Sequence, residues 1–394
     1  MLVLEIILLV YFGFVVFHNF FFSAISFIYR EDRFFKGTVN KHSRIAVLIP
    51  SYKEDGVIVS TAELAVRHNY PPEAFTVFVI ADSLQPATVQ ALQQTGATVF
   101  EVSFEKSTKV RALQFALAKI EGYDLAVILD ADNVMKEGFL AKINQAFNNG
   151  FLNLQGRRVA KNSDTPMAYL DSISEAINNQ IFRKGYNAVG LSSSLIGSAM
   201  AFPFQPFRDH INAMDSVGGF DRELHLRLLT KKQRIYYLES AEVYDEKTRQ
   251  AEAFSNQRRR WLSSQFVYLQ RNFTKGVRAL LKGDFIFFEA SVLSNLLLPR
   301  ILTLGCLPIL VIVFTLLRHY LVLGYTWTWA YAILYVAALV IAVPTKYFDK
   351  KLLTAVASLP KAFALMFFNL FRLKNANKKF IHTPHSTTTV ESKK

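Results

Sequence analysis

Three acidic motifs carry the residue types best able to do chemistry. They are "PSYKED" (50–55), "ADSLQ" (81–85) and "LDADN" (129–133), and each follows an apolar run of strand length. Oxygen ligands of this kind suit Mg²⁺ or Mn²⁺, ions that usually accompany phosphates. One such carboxylate is often only a turn former, but three at corresponding strand ends indicate a shared binding crevice.

Alternating strands and helices must position these carboxylates. Continuous apolar runs, typical of strands buried on both faces, are "RIAVLIP", "FTVFVIAD", "ATVFEV" and "YDLAVILDAD". Between these runs lie three stretches whose apolar residues have helical spacing, "VIVSTAELAVRH", "PATVQALQQT" and "TKVRALQFALAKI". This order predicts an α/β domain with a mainly parallel sheet, in which ligands bind at the carboxyl ends of the strands.

Apolar segments flank this domain and predict an integral membrane protein. Residues 1–30 are long enough to span a bilayer, and they lack the basic start and cleavage site of a signal peptide. The basic residues that follow place the domain in the cytoplasm and the N-terminus outside, at a plasma or inner membrane. A transmembrane hairpin is predicted over 300–343, and interfacial helices over 266–299 and 352–374.

Overall charge and cysteine content narrow the functional classes. The formal net charge of +14 suits an anionic lipid surface and an anionic ligand. Nucleic acid is not predicted as a partner, because no DNA- or RNA-binding motif accompanies the charge. The single cysteine, Cys306, excludes intramolecular disulfides and multi-cysteine metal sites.

Five motifs together resemble the membrane-bound inverting glycosyltransferases of family 2, which have the GT-A fold and include cellulose, chitin and hyaluronan synthases. In chain order they are "IPSYKED", "VIADS", "STKVRALQFAL", "LDADN" and "QRRRW". The resemblance covers residues 44–265 as a cytoplasmic GT-A domain with a Rossmann-like, mainly parallel sheet. It implies a nucleotide-sugar donor, UDP-linked, and a divalent metal ion.

The resemblance also implies roles for individual residues. Asp132 would ligate the metal within the Asp130/Asp132 motif. The residues implied in donor binding are Pro50, Tyr52, Glu54, Asp82, Lys109, Asp130, Arg260 and Thr383. Those implied in acceptor binding are Gly197, Ser198, Gln257 and Trp261.

The segment "GGFDRELHLRLL" (218–229) resembles the one that supplies the catalytic base, which would be Asp221. The alternative is that Asp221 is a helix N-cap after two glycines. The synthases generally carry an acidic residue just before the base, whereas this chain has Phe220. Glu223, two residues later, is the second candidate for the base.

Two basic segments have two interpretations each. In "QRRRW", Gln257, Arg260 and Trp261 have the spacing of the family's QxxRW element, whereas Arg258 or Arg259 would anchor the chain at the membrane. In the basic tail, residues 375–394, "KKFIHTPHS" is similar to the FxxTxK gating element of cellulose synthases, with His385 in place of the lysine. The simpler interpretation is a mobile basic tail.

The sequence therefore predicts a membrane glycosyltransferase that adds sugar to a growing glycan. It leaves open a single transfer to a lipid carrier, an export partner and a homo-oligomer. A non-catalytic module that keeps the fold is a further alternative. A nucleotidyltransferase is disfavoured, because "PSYKED" stands where its glycine-rich phosphate loop would be.

Overall fold

The four predicted strands form one parallel half of an eight-stranded sheet. This computed structural model describes residues 2–37, 41–215, 218–371, 385, 387 and 388. Its strands are β1 (Ile45–Tyr52), β2 (Phe75–Asp82), β3 (Thr98–Val102), β4 (Leu125–Ile128), β5 (Val134–Met135), β6 (Leu154–Ala160), β7 (Met200–Pro203) and β8 (Tyr236–Asp245). They lie in the order β3-β2-β1-β4-β7-β6-β8-β5.

The parallel half explains the continuous apolar runs. β1 is parallel to both β2 and β4, and β2 is parallel to β3. Along β1, Ile45, Val47 and Ile49 pack into one core, while Ala46 and Leu48 pack into a second core on the other face. Because both faces are covered, nearly every residue of the strand is apolar.

The helices agree with the predicted spacing in the first half of the domain. Helix α1 (Leu2–Ile25) precedes the sheet-containing domain. The helices within that domain are α2 (Ile58–Val66), α3 (Pro86–Gln93), α4 (Lys109–Leu117), α5 (Phe139–Asn148), α6 (Pro166–Asn178), α7 (Tyr186–Ala188), α8 (Phe204–Asn212) and α9 (Phe220–Thr230). Those that follow are α10 (Ala251–Leu281), α11 (Phe285–Phe288), α12 (Ser294–Leu296), α13 (Arg300–Leu316), α14 (Thr326–Ala342), α15 (Lys350–Ala357) and α16 (Leu359–Leu370). π-helical turns at Asn179–Gly185 and Glu289–Leu293 join α6 to α7 and α11 to α12.

The parallel register brings the acidic strand ends to one edge of the sheet. Tyr52, the last residue of β1, pairs with Asp82, the last residue of β2. The chain turns sharply after both strands, with positive φ angles at Lys53 and Ser83. The Lys53 N–H donates to the Asp82 carbonyl oxygen at 3.2 Å, which fixes the two turns against each other.

Two helical segments of the described chain are long and apolar enough to span a membrane. They are Leu2–Ile28 and Lys350–Leu370, which are candidate membrane spans by length and composition. The second overlaps the predicted interfacial helix, and its length is compatible with a span. The pair Phe285–Leu296 and Arg300–Leu316 is bent by 57°, as in a broken span or a re-entrant loop, and α14 is a shorter apolar helix.

Residues 285–299, part of the predicted interfacial segment 266–299, pack against the sheet-containing domain. Glu289 of this segment is only 4% exposed, and the Tyr186 hydroxyl donates to the Glu289 carboxylate at 2.5 Å. His18 of α1 lies 2.9 Å from the same hydroxyl. These contacts join the sheet-containing domain to α1 and to the bent pair.

Candidate active site

A cavity of about 250 Å³ opens at the carboxyl ends of β1, β2 and β4. This smaller cavity is lined by nearly all of the predicted donor and metal residues. These donor and metal residues are Pro50, Tyr52, Glu54, Asp82, Lys109, Asp130, Asp132 and Arg260. Gln257 and Trp261 of α10, which were predicted to bind the acceptor, line this cavity as well. Thr383, the remaining predicted donor contact, lies outside the described residues.

Lys109 and Asp130 form an ion pair at the wall of this cavity. Lys109 is the first residue of α4, and its ammonium group donates to the Asp130 carboxylate and, at 2.7 Å, to the Gly197 carbonyl oxygen. Both side chains are partly exposed, so they can exchange this contact for a ligand. A cation held here is positioned to bind an anionic group.

Asp132 lies deeper in the same cavity and is 3% exposed. Its carboxylate accepts from the Glu246 N–H at 2.8 Å and from the Asn133 amide at 3.1 Å. Burial raises the pKa of Asp132, while the positive charge of His385 opposes that rise. A divalent cation would relieve the desolvated negative charge, so the donor set fits the predicted metal ion.

A larger cavity of about 510 Å³ adjoins the first. The two cavities share Lys109, Asp130, Arg158, Glu175, Arg260 and Trp261. Asp221 and Gly197 line the larger cavity. This cavity continues to residues of the apolar helices, namely Asn19 of α1, Ile301 of α13 and Met366 of α16.

Asp221, the predicted base, has a buried carboxylate at the larger cavity. Burial raises its pKa, an effect that Arg222, Lys109 and Arg158 partly oppose. The N-cap of α9 is Gly219, so the N-cap interpretation of Asp221 is wrong. The Asp221 carboxylate accepts from the Arg222 N–H at 2.9 Å, which orients the side chain near the helix start.

Glu223, the second candidate for the base, forms an ion pair and hydrogen bonds with neighbouring side chains. Its carboxylate accepts from the Arg227 guanidinium at 2.8 and 2.9 Å and from the Tyr268 hydroxyl at 3.3 Å. It lines neither cavity. The geometry therefore favours Asp221.

Phe220, which replaces the acidic neighbour of the synthases, lines the larger cavity. Its ring lies 5.3 Å from the Lys109 ammonium group, within the range of a cation–π contact. The departure from the family pattern thus removes a charge next to Asp221 and leaves an aromatic contact for Lys109.

The predicted acceptor residues do not all reach the larger cavity. Gly197 does, but Ser198 lines neither cavity. The Ser198 hydroxyl accepts from the Asp130 N–H at 2.9 Å and donates to the Asn133 side chain. Both hydrogen-bonding functions of the hydroxyl hold the "LDADN" loop, which gives Ser198 a structural role there, while its acceptor contact stays a prediction.

α10 presents the QxxRW element to both cavities. Arg260 and Trp261 lie at the wall that the cavities share, and Trp261 is 40% exposed. Gln257, predicted to bind the acceptor, lines only the smaller cavity, beside the residues predicted to bind the donor. Burial lowers the pKa of the Arg260 guanidinium, and a bound anion would offset that desolvation.

Arg258, one of the two arginines that the sequence offered as membrane anchors, makes its contacts within the protein. It donates to the Asp171 carboxylate of α6 at 2.5 Å, and it stacks over Trp261 with 4.5 Å between guanidinium carbon and ring centroid. Only 12% of its side chain is exposed. It therefore packs α10 against α6 and supports the Trp261 ring.

A buried charge network that the sequence did not predict lines part of both cavities. Arg158 of β6 donates to Glu175 of α6 at 2.9 Å and lies 3.5 Å from Asp245 at the end of β8. Lys247 donates to Asp245 at 2.7 Å, and Arg183 donates to Glu175 at 3.1 Å. The only signal in the sequence is the basic pair in "LQGRR", because its partners lie far along the chain.

This network keeps its carboxylates ionised. Burial alone would raise the pKa of Glu175, but Arg158 and Arg183 outweigh it and hold that pKa below its usual range. A rigid, fully ionised network of this kind positions Arg158 at 4.0 Å from Asp130. Arg158 is thus a further cation at the wall between the cavities.

The C-terminal segment contacts the smaller cavity through His385 and Thr387. The Nδ1 atom of His385 lies 2.9 Å from Glu54 Oε1, and the Thr387 N–H donates to Glu246 at 2.8 Å. Arg249 donates to the Thr387 hydroxyl at 2.8 Å. These contacts attach the end of the chain to the loops that follow β1 and β8.

Comparison with solved structures supports the fold. A mannosyltransferase, PcManGT, from Pyrobaculum calidifontis, solved with GDP-Man and Mn²⁺, is 14% identical, with 94% of this chain and 97% of that chain covered and a TM-score of 0.52. A glucosyl-3-phosphoglycerate synthase from Mycobacterium tuberculosis, solved with Mn²⁺, UDP and phosphoglyceric acid, is 15% identical over 54% of this chain and 74% of its own, with a TM-score of 0.38. No curated protein sequence matches the chain significantly.

The family assignment comes from the sequence of the catalytic domain. The model of the family described as glycosyltransferase-like family 2 matches residues 42–264. The matched region is more than half of the 394 residues, and it contains every described residue around the two cavities from Pro50 to Trp261. The chain therefore belongs to glycosyltransferase family 2.

Proposed function

We propose that this protein is a metal-dependent, inverting membrane glycosyltransferase that moves a sugar from a UDP-linked donor to a growing glycan. The observation that carries the proposal is the pair of adjoining cavities. Strand-end carboxylates line the smaller one, which takes the nucleotide and diphosphate. Asp221 lines only the larger one, which takes the acceptor, and Lys109 and Arg260 lie between them.

The chemistry follows from this arrangement. Asp221 accepts the proton of the acceptor hydroxyl as its oxygen bonds to the anomeric carbon, and the bond from that carbon to the diphosphate breaks. Attack from the side opposite the diphosphate inverts the configuration. Lys109 and Arg260 neutralise the departing charge. A metal ion bound by Asp132 would supply further neutralisation of the diphosphate.

A single transfer to a lipid carrier is the second candidate. It is favoured by the reach of the larger cavity to α1, α13 and α16, where a membrane-dissolved acceptor could enter. Product sizing after incubation with radiolabelled donor distinguishes the two. A ladder of lengths supports glycan elongation, whereas one discrete lipid product supports the lipid carrier.

The general test is nucleotide release from a panel of sugar nucleotides with purified full-length protein. We expect release with at least one donor in Mn²⁺ and none after chelation by EDTA. Asp132→Asn should lower activity by roughly 10²-fold or more, because the carboxylate no longer carries the charge that binds the metal. Asp209→Asn, which changes a surface carboxylate bonded to Gln205, is the matched control. Full activity in EDTA would exclude the role given to Asp132.

Gly219 offers a test of how the base is positioned. It has φ +70°, and a Cβ atom there would lie 2.3 Å from Ser264 Oγ and 2.9 Å from a Tyr268 ring carbon. We expect Gly219→Ala to shift the start of α9 and to lower the transfer rate at least about tenfold, with nucleotide binding retained.

Gly138 provides the matched control for this substitution. It is the N-cap of α5 with φ +76°, but its Cβ position has no neighbour within 4 Å among the described residues. Gly138→Ala therefore introduces the same backbone strain without the clash, at about 1–2 kcal/mol. Equal losses of transfer in both variants would show that strain alone is responsible.

A further inference from the structure

Asn295 lies at the break between two apolar helices, beside the larger cavity. The break separates Phe285–Leu296 from Arg300–Leu316, which are bent by 57°. Asn295 is only 5% exposed, and it lines the larger cavity together with Asp221 and Arg222 of α9. A buried polar side chain of the bent pair thus lies next to the helix that carries the proposed base.

The amide of Asn295 has its oxygen turned toward α9. Its nitrogen donates to the Ala290 and Ser291 carbonyl oxygens, at 3.1 Å each, within the π-helical turn. Its oxygen accepts from the Arg222 guanidinium. Because backbone carbonyls take both amide hydrogens, the orientation of the amide is determined, and Arg222 can meet only the oxygen.

α10 holds the segment around Asn295 in place. The Gln265 side-chain amide donates to the Asn295 carbonyl oxygen at 2.8 Å and to the Leu297 carbonyl oxygen at 2.7 Å. These bonds satisfy two backbone acceptors where the helix is interrupted. Asn295 is therefore part of a fixed support, to which the longer side chain of Arg222 is attached.

Arg222 acts on Asp221 through two different groups. Its backbone N–H donates to the Asp221 carboxylate at 2.9 Å and orients the base. Within the described part of the chain, its guanidinium forms no ion pair with that carboxylate and donates to Asn295 instead. Burial raises the pKa of Asp221, and the Arg222 charge is the largest of the effects that oppose this rise. A closer approach of the guanidinium would lower the pKa further.

We propose that Asn295 is a positioning residue for the transfer reaction, because it holds the Arg222 guanidinium away from the Asp221 carboxylate. The inference rests on the proposed function, since it concerns the base of that reaction. Without the Asn295 oxygen, a buried guanidinium lacks an acceptor, and Asp221 is the adjacent carboxylate to which it can turn. An ion pair there occupies the oxygens that accept the proton of the acceptor hydroxyl.

Asn295→Ala in the full-length protein tests this through the pH profile of sugar transfer. We expect a transfer rate lower by roughly tenfold, because a base paired with an arginine is weaker. The acidic limb of kcat/KM should move to lower pH by roughly one unit, since the ion pair lowers the pKa of the base. Arg222→Gln removes the charge, so its acidic limb should move to higher pH. A merely structural defect would lower the rate without moving the limb.

A double variant makes the interpretation specific. In the Arg222→Gln background, Asn295→Ala should no longer move the acidic limb, because the charge that it releases is absent. The other charged or titratable groups that interact with Asp221 are kept in all variants, and they are Lys109 of α4, Arg158 of β6 and Tyr268 of α10.

Two further variants control for damage to the helices. Asn295→Ser keeps a hydroxyl donor for the carbonyl oxygens of the π-helical turn but does not reach Arg222, so it should behave as Asn295→Ala does. Asn272→Ala is the matched control on α10, where the Asn272 amide donates to the Tyr268 carbonyl oxygen at 3.0 Å. It should change neither the rate nor the acidic limb.

Infrared titration of the Asp221 carboxyl group measures the same effect without turnover, with the spectrum of Asp221→Asn subtracted. The pKa of Asp221 should be lowest in Asn295→Ala and highest in Arg222→Gln. An unmoved limb and an unmoved pKa in Asn295→Ala, in a protein that transfers sugar, would overturn the role of Asn295 and leave the proposed function intact. The expected order of pKa values in a protein that transfers no sugar would support the contact and reject the proposed function.

Discussion

Asp221→Asn is expected to abolish sugar transfer while leaving nucleotide binding unchanged. The amide cannot accept the proton of the acceptor hydroxyl, so the transfer rate should fall by roughly 10²- to 10⁴-fold. Asp221 lines the larger cavity and not the smaller one, so donor affinity should stay the same. Measurement combines a transfer assay with calorimetric titration of UDP.

Glu223→Gln is the matched control for this variant, since it changes a carboxylate on the same helix turn. Glu223 contacts Arg227 and Tyr268, and losing its charge should alter stability by no more than about 1 kcal/mol. Transfer should remain within a few-fold of the unmodified enzyme. Loss of transfer in Glu223→Gln with activity in Asp221→Asn would reverse the assignment of the base.

The pH dependence gives an independent check on Asp221. A base must be ionised to act, so activity is lost as pH falls through its pKa. Because burial raises the pKa of Asp221, the acidic limb of kcat/KM should lie above the ordinary aspartate value of about 3.9. In Asp221→Asn, the residual rate should lack this limb.

Arg260→Ala should reduce transfer by roughly 10²- to 10³-fold with little change in thermal stability, because its charge acts on the departing diphosphate. Arg258→Ala should instead lower the thermal stability. It leaves Asp171 buried without its ion-pair partner, at a cost of about 3 kcal/mol, and removes the support of the Trp261 ring.

Thermal unfolding and transfer assays on the same preparations separate these two effects. Arg259→Ala serves as the neighbouring control, because Arg259 contacts Asn256 on its own helix and retains the anchor interpretation. If Arg260→Ala destabilises the protein as much as Arg258→Ala does, the division of roles within "QRRRW" is wrong.

Local patterns were sufficient to predict the parallel half of the sheet and its polar edge. "FTVFVIAD" corresponds residue for residue to β2, and "TKVRALQFALAKI" contains all of α4. Such features depend on side-chain periodicity over a few residues, which the sequence displays directly. The position of Asp82, Asp130 and Asp132 at one edge follows because parallel strands end on the same side.

The tertiary structure decided which of several similar residues reach the cavities. Arg258 and Arg260 are two positions apart on one helix, yet the first pairs with Asp171 and lines only the larger cavity, whereas the second lines both cavities. Ser198 is turned to the back of the "LDADN" loop although Gly197 faces the larger cavity. These differences arise from neighbours distant in sequence, so no local pattern reports them.

The sequence by itself determined the family, the α/β domain and the chemical types at the strand ends. Only the tertiary structure brought Arg158, Glu175, Asp245 and Lys247 into one buried network, and set His385 against Glu54. The reason is physical. Secondary structure and strand-end chemistry follow from local spacing, whereas the partner of a buried charge depends on strand order and on loops that meet only in the folded chain.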